Sequence, residues 1–246
     1  MIPHPWLSAA LDLVMPRVCV ACEALLAQRD SGIICGLCWS RVATLPQPTC
    51  NRCGHPVTET ECSWCRMLPA FVRAARSYCW YPGPAATPIV SALKYSGWRV
   101  AAEGIAARMS RLSFPADVQE ECSLLVPVPL STVRERERGY NQSALLAVAL
   151  ARRWGLSVMV DCLRRSRATA SQTKLTPEER VLNVAGAFSV RATAASTLQG
   201  AHVLLVDDVV TTAATLNECA SALFAGGARI ISYVTFGRAR GPGDII

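Results

Sequence analysis

The sequence predicts an α/β fold, a parallel sheet flanked by helices, with a small cysteine-rich domain in front of it. Three features point there. The apolar run Val203-Leu-Leu-Val206 leads into two adjacent carboxylates, a hydroxyl-rich turn, a helix-like pattern and the strand-like Arg229-Ile-Ile-Ser-Tyr-Val-Thr-Phe236. That order is a βαβ unit, the building block of parallel sheets. A second apolar run, Leu124-Leu-Val-Pro-Val-Pro-Leu130, reads as another buried strand, and four Cys-x-x-Cys pairs crowd the front of the chain.

From the amino terminus, Trp6, Ala10, Leu11 and Val14 fit a short amphipathic helix. The same stretch lacks a basic segment and contains Asp12, which makes it a poor signal peptide. No apolar run reaches the roughly 18 residues that span a bilayer. A cytoplasmic protein with no membrane insertion is expected, and nothing in the sequence names a protein partner.

The cysteine pairs are Cys19/Cys22, Cys35/Cys38, Cys50/Cys53 and Cys62/Cys65. Two residues between thiolates let both sulfurs of a pair reach one tetrahedral metal at about 2.3 Å. The eight ligands suffice for two zinc sites. Sequential pairing joins Cys19, Cys22, Cys35 and Cys38 in one site and Cys50, Cys53, Cys62 and Cys65 in the other; a cross-braced pairing satisfies the same spacing. An all-thiolate site has no open position, so the metal is structural. A module of about 50 residues with few bulky apolar side chains needs such a staple. Disulfides are the competing reading, disfavoured in a chain with no export signal. Gly54 lets the third pair turn tightly with positive φ. His55 finds no vacancy among eight cysteines, and Cys79, Cys122, Cys162 and Cys219, which lack metal spacing, read as small buried residues. Pro46, Pro48, Pro56 and Pro69 punctuate this region, dividing the chain into 1–70 and 71–246.

Beyond the boundary, Tyr78-Cys-Trp-Tyr81 is strand-like and Pro82-Gly-Pro84 a turn. A helix is expected to run through about Trp154 after the segment Arg134-Glu-Arg-Glu-Arg-Gly-Tyr-Asn-Gln-Ser143. Arg134 and Arg136, alternating with Glu135 and Glu137, read as an exposed helix face, whereas Gly139 between Arg138 and an amide-rich turn suggests a place where backbone approaches a ligand. Arg164 to Asn183 is polar and loop-like until Pro177 starts a helix turn. In the terminal βαβ unit the helix carries Leu216, Ala220, Leu223 and Phe224 on one face and ends at Gly226-Gly227.

The net charge of +7 is concentrated. Between Arg134 and Arg180 there are ten basic and five acidic residues, which favours a polyanionic ligand there over a generally basic surface. In the βαβ unit, Asp207 and Asp208 stand where open α/β sheets bind ligands. The small-residue turn Thr211-Thr-Ala-Ala-Thr215 lets backbone N–H groups approach a phosphate, with the helix dipole behind them. Two adjacent carboxylates beside that phosphate suit ribose hydroxyls or a magnesium ion.

This segment resembles the phosphoribosyl pyrophosphate (PRPP) motif of type I phosphoribosyltransferases. Leu93-Lys-Tyr-Ser-Gly97, Val126-Pro-Val-Pro129, Arg138-Gly-Tyr-Asn-Gln142, the Thr169/Gln172/Leu175 spacing, Glu179-Arg180 with Asn183, and Asp207-Asp-Val-Val-Thr-Thr212 occur in the order of the ComF/GntX family. Those are bacterial phosphoribosyltransferase-like proteins with an amino-terminal double zinc ribbon, and the resemblance runs from about residue 15 to Arg238. It implies a phosphoribosyltransferase-like fold in which Asp207 and Asp208 hold the ribose and magnesium. The backbone of Thr211, Thr212, Ala213, Ala214 and Thr215 takes the 5′-phosphate. Lys94, the backbone at Ser96 and Gly97, and loop arginines with Arg138 take the pyrophosphate, and the 164–180 segment closes over the reaction. It also implies a second class of function, a single-stranded DNA-binding accessory of competence and DNA uptake, with Trp80, Tyr81, Tyr95, Trp98 and Tyr140 as stacking candidates or, more blandly, core residues.

Three departures narrow the reading. Ala213 stands where family members usually have Gly, an added Cβ that costs about 1 kcal/mol if the backbone needs positive φ there. Thr211 stands where purine-salvage members carry an Asp that acts as base, so hypoxanthine-type chemistry is not expected. The chain opens Met1-Ile2 before a cysteine ribbon, so the glutaminase chemistry of related amidotransferases is not expected either.

Overall fold

The computed structural model describes residues 16–27, 32–56, 62–95, 99–167, 184–241 and 244 of the chain. The helix expected over Trp6 to Val14 lies outside them. Two short helices, α1 (Gly36–Ser40) and α2 (Ser63–Arg66), each start after a cysteine N-cap. Then come β1 (Val72–Tyr81), α3 (Ala86–Tyr95), α4 (Ala101–Met109), α5 (Ala116–Glu121) and β2 (Cys122–Pro127). The chain continues through α6 (Thr132–Arg138), α7 (Gln142–Trp154), β3 (Ser157–Val158), β4 (Leu163–Arg165) and β5 (Phe188–Val190). It closes with α8 (Ala195–Leu198), β6 (His202–Val210), α9 (Ala214–Ala225) and β7 (Ile230–Ala239). No helix among the described residues is long and apolar enough to cross a membrane.

Five strands form one parallel sheet in the order β1-β7-β6-β2-β3. The central strand β6 is buried on both faces: Leu204 and Val206 join one core, Val203 and Leu205 the other. That is why it reads as an unbroken apolar run rather than an alternating one. Ile105 and Met109 of α4 and Leu146 and Leu150 of α7 fill the first core; Leu216, Cys219, Ala220 and Leu223 of α9 fill the second. Phe224, expected on that buried face, is exposed and stacks on Phe71 instead, with ring centroids 4.4 Å apart. Cys79, Cys122, Cys162 and Cys219 are buried, as their lack of metal spacing suggested.

Gly139 ends α6 in the left-handed region, φ 71°, and Asn141 caps α7 by accepting from the Ser143 amide. The glycine therefore serves the helix-to-helix corner. β1 begins six residues before the strand-like Tyr78, because Arg73, Arg76 and Ser77 hide it in the sequence. Arg76 is buried with its guanidinium donating to the carbonyls of Ala75, Asn51 and Ser113. Arg164 and Arg165, read as loop, belong to β4, which pairs antiparallel with β5.

The cysteine-rich segments cover the outer edge of β1. Trp80 N donates to Ala43 O (2.9 Å) and Ala75 N to Arg52 O (2.7 Å). Unpaired strand groups that would otherwise face solvent are thereby satisfied. Cys19, Ile34, Cys35, Cys38 and Val42 pack with the first core, and Cys53, Trp64 and Leu68 with the second.

Candidate functional site

The eight paired cysteines form two groups, Cys19/Cys22/Cys35/Cys38 and Cys50/Cys53/Cys62/Cys65, with the sulfurs of each group within 4.8 Å of one another. The pairing is sequential; the cross-braced alternative is excluded. Sulfur separations of 3.8 Å (Cys22–Cys35), 3.3 Å (Cys50–Cys65) and 3.2 Å (Cys53–Cys62) lie near the roughly 3.8 Å edge of a tetrahedron with 2.3 Å zinc–sulfur bonds. The donor sets fit structural zinc. Gly54, after the third pair, has φ +67°, and a Cβ there would run into the Ala75 carbonyl oxygen. His55 is no ligand: it pairs with Asp244 at 2.8 Å and stacks on Trp64.

The second site is a cleft of about 310 Å³ where β2 and β6 give way to the loops that follow them. Asp207 and Asp208 lie within β6, two residues before its end, and are the carboxylates of its lining. Asp207 Oδ1 accepts from Ser143 Oγ (2.8 Å) and from the Asp208 amide (2.9 Å). Asp208 Oδ1 accepts from the Val209 amide (2.9 Å), and its Oδ2 lies 2.5 Å from Lys94 Nζ. Lys94 sits in the last turn of α3 and turns inward to this carboxylate.

Burial, and next the neighbouring Asp208 carboxylate, push Asp207 up to about 7, against the opposing pull of the Ser143 hydroxyl. Burial works against the Lys94 ammonium, but the Asp208 carboxylate more than offsets it, so Lys94 titrates above its ordinary range. A carboxyl that titrates near neutrality and a buried ion pair thus mark one patch of the cleft.

Past Val210 the chain bends through Thr211 and Thr212 to Ala213, which is left-handed at φ 58°, ψ 2° and caps α9 without a side-chain hydrogen bond. The cap thus offers no side-chain acceptor at the start of this twelve-residue helix, an arrangement that favours anions. Thr211 to Leu216 all line the cleft. At its rim Arg138 donates to Gln142 Oε1 (2.8 Å), and its guanidinium lies 4.9 Å above the ring of Tyr95, which is 69% exposed. Lys94, Arg134, Arg138 and Arg165 oppose the two carboxylates, leaving an excess of positive charge suited to a polyanion.

Of the residues singled out in the sequence, Lys94, Arg138, Asp207, Asp208 and Thr211 to Thr215 thus line one cleft. Ser96, Gly97 and Trp98 lie outside the described residues, as do Thr169, Gln172, Leu175, Glu179, Arg180 and Asn183. Trp80 and Tyr140 are core residues, with Tyr140 Oη donating to Leu93 O, which leaves Tyr95 as the openly exposed ring of the stacking candidates among the described residues. The sequence reading gave Ser143 no role and covered Arg165 only as one of the loop arginines. A small polar residue two places after a helix cap signals only the cap itself, and the burial of Arg165 against Phe188 depends on the unforeseen β4–β5 pair.

Comparison with known proteins agrees with this geometry. Residues 10–68 match the double zinc ribbon domain and residues 141–245 the phosphoribosyl transferase domain. The DNA utilization protein YhgH of Escherichia coli O6:H1 is 33% identical over 232 residues, 89% of this chain and 96% of its own length. The competence protein ComFC of Bacillus subtilis is 30% identical over 217 residues, covering 85% of each chain. The competence protein F of Haemophilus influenzae is 37% identical over 99 residues, 40% of this chain and 43% of its own.

Proposed function

This chain belongs to the ComF family of phosphoribosyltransferase-like proteins with a double zinc ribbon, and from that premise we propose that its cleft binds the ribose 5-phosphate group of PRPP with magnesium. One observation carries the reading: Asp207 and Asp208 face the same cleft as an anion-binding turn and the amino terminus of α9. The backbone amides of Thr211 to Thr215 would take the 5′-phosphate, and the two carboxylates the ribose diol. Carboxylate oxygens are the hard ligands magnesium prefers, so Asp207 and Asp208 also fit that ion. Bound there, magnesium would neutralise charge on the pyrophosphate and orient it. Lys94 is held beside Asp208, so a ligand that claims this carboxylate frees the ammonium for a pyrophosphate oxygen. Arg134, Arg138 and Arg165 supply the rest of the positive field, favouring transfer of the group to an acceptor as charge builds on the departing pyrophosphate.

A second reading is favoured by Tyr95. An exposed ring under the Arg138 guanidinium at the mouth of a ribose-phosphate cleft would stack a base of single-stranded DNA, with the arginines along its backbone. The names of the relatives, which refer to DNA utilization and competence, agree with it. The two readings share the phosphate turn and differ at the rim.

Calorimetric titration of magnesium and PRPP into the zinc-loaded protein tests the first reading, with an Asp207→Asn/Asp208→Asn double variant as control. Heat of binding that vanishes in the variant supports it. No binding at millimolar PRPP, with DNA still bound, would leave the second.

A further inference from the structure

Arg238 lies on β7 where that strand passes between β1 and β6, in register with Trp80 on one side and Val210 on the other. It is 3% exposed. Its Nη2 donates to the Cys53 carbonyl oxygen at 2.5 Å, and the guanidinium lies 5.0 Å from the Trp64 ring centre. Among the described residues its Nε and Nη1 meet no hydrogen-bond acceptor. The other arginines around this ribbon differ. Arg52 donates to the carbonyls of Cys65, Leu68, Pro69 and Val72, and Arg76 to those of Ala75, Asn51 and Ser113. A buried cation with two idle donors is costly unless negative charge stands close to it. Asp244 does not fill that role alone, since its carboxylate already serves His55 and the Gly241 amide. The second cysteine group, to which Cys53 belongs, would fill it once loaded: a dication held by four thiolates is a dianion.

Arg238 also faces the phosphate turn. Its side chain, Cys53 and Trp64 share a small void of about 10 Å³ with Val210, Ala213 and Leu216. One guanidinium therefore stands between the ribbon and the residue that holds its backbone in the left-handed region.

We propose that Arg238 is the counter-cation of the loaded second cysteine centre, and that through it the occupancy of this centre holds the turn at Thr211 to Thr215 in its ligand-binding shape. The first half concerns the metal alone; the second rests on reading that turn as a phosphate site. With the centre loaded, the charge of Arg238 is balanced in place. With it empty, the guanidinium is left uncompensated against the wall of the void, and the neighbouring αL turn loses its support.

The test uses the full chain. Zinc is withdrawn by a graded chelator series, and the two release steps are assigned with Cys22→Ser, which removes the first centre's step. Arg238→Met is expected to weaken the second step by about 10–100-fold, the usual effect of losing an outer-shell partner, and to leave the first unchanged. Arg238→Lys, which keeps charge but loses the fork, is expected to fall between. Should Arg238→Met fail to fold, Arg238→Lys alone decides by the same selective shift. Two release steps equal to those of the parent protein would overturn the proposal. Ribose 5-phosphate affinity followed along the chelator series reads the coupling: it should fall as the second centre empties. Affinity that stays constant rejects the coupling. If the loaded parent protein binds no ribose 5-phosphate, the phosphate reading has failed instead, and the zinc steps still judge Arg238.

Discussion

Lys94 Nζ sits 2.5 Å from Asp208 Oδ2, an ion pair that ties the end of α3 to the central strand across the cleft. Both partners are largely buried, so removing one leaves the other without compensation. Lys94→Met should therefore lower stability by about 3 kcal/mol, and adding Asp208→Asn should recover part of it. Urea denaturation of the single and double variants measures this. A loss below roughly 1 kcal/mol in the single variant would mean that solvent screens the pair.

Asp207 gives the apo protein a pH dependence of defined sign. Its folded value near 7 is above that of an unfolded carboxyl, so between about pH 4 and pH 7 the folded state binds more protons than the unfolded one. Its contribution to stability is greatest below the unfolded pKa and declines as pH rises to 7. Asp207→Asn should raise apo stability at pH 8 by about 1–3 kcal/mol and flatten the slope between pH 5 and 8. Magnesium–PRPP affinity in the parent protein should rise through the same interval, because the ionised carboxylate is the ligand. Thermal melts across pH check the first claim and calorimetry the second; an unchanged slope in Asp207→Asn rejects the assignment.

Ala213 is left-handed, φ 58°, in the turn that leads into α9. A Cβ in that region costs about 1 kcal/mol, partly offset because alanine restricts the unfolded chain. Ala213→Gly should stabilise the protein by a net of about 0.5 kcal/mol and tighten phosphate-ligand binding. Denaturation midpoints and ribose 5-phosphate titration read both. A destabilised variant would show that Ala213's methyl, buried beside Arg238, contributes more by packing than it costs in strain.

How much of this was legible in the sequence depends on where each signal lives. The β6–α9–β7 unit was readable because a strand buried on both faces is a continuous apolar run and the acids that follow are costly without a use. The two cysteine groups were readable because knuckle spacing is local. β1 was half hidden, since Arg76 is buried only by virtue of carbonyls supplied by Asn51 and Ser113, far away in sequence. The partner of Lys94 lies 114 positions on, and no local pattern announces it. Arg238 follows Gly237 at the end of an ordinary strand, and its significance appears only when the ribbon folds back to bring Cys53 beside it.

Gly54 tests how tightly the second ribbon is fitted to the sheet. Its backbone has φ +67°, and an added Cβ would meet the Ala75 carbonyl oxygen inside contact distance. Both groups are main chain, and the Ala75 amide is itself bonded to Arg52 O, so neither yields easily. Gly54→Ala should cost about 3 kcal/mol and lower the zinc content from two ions per chain toward one. Metal analysis after dialysis measures it. Full zinc content with native stability would mean that the ribbon shifts as a body away from β1.

Tyr95 separates the two functional readings. Its ring is 69% exposed, so truncation removes little buried area, and Tyr95→Ala should change stability by less than about 0.5 kcal/mol. If the rim binds single-stranded DNA by stacking, the variant should lose about 1–3 kcal/mol of affinity, roughly 5- to 150-fold, with the salt dependence kept. The phosphate turn and the carboxylates are untouched, so magnesium–PRPP binding should stay within about twofold of the parent protein. Fluorescence anisotropy with a labelled oligonucleotide, run beside PRPP calorimetry, gives both numbers. Loss of DNA affinity alone places the strand across Tyr95 and Arg138; equal DNA affinity in the variant removes this ring from the interface and moves the search to the arginines along the cleft.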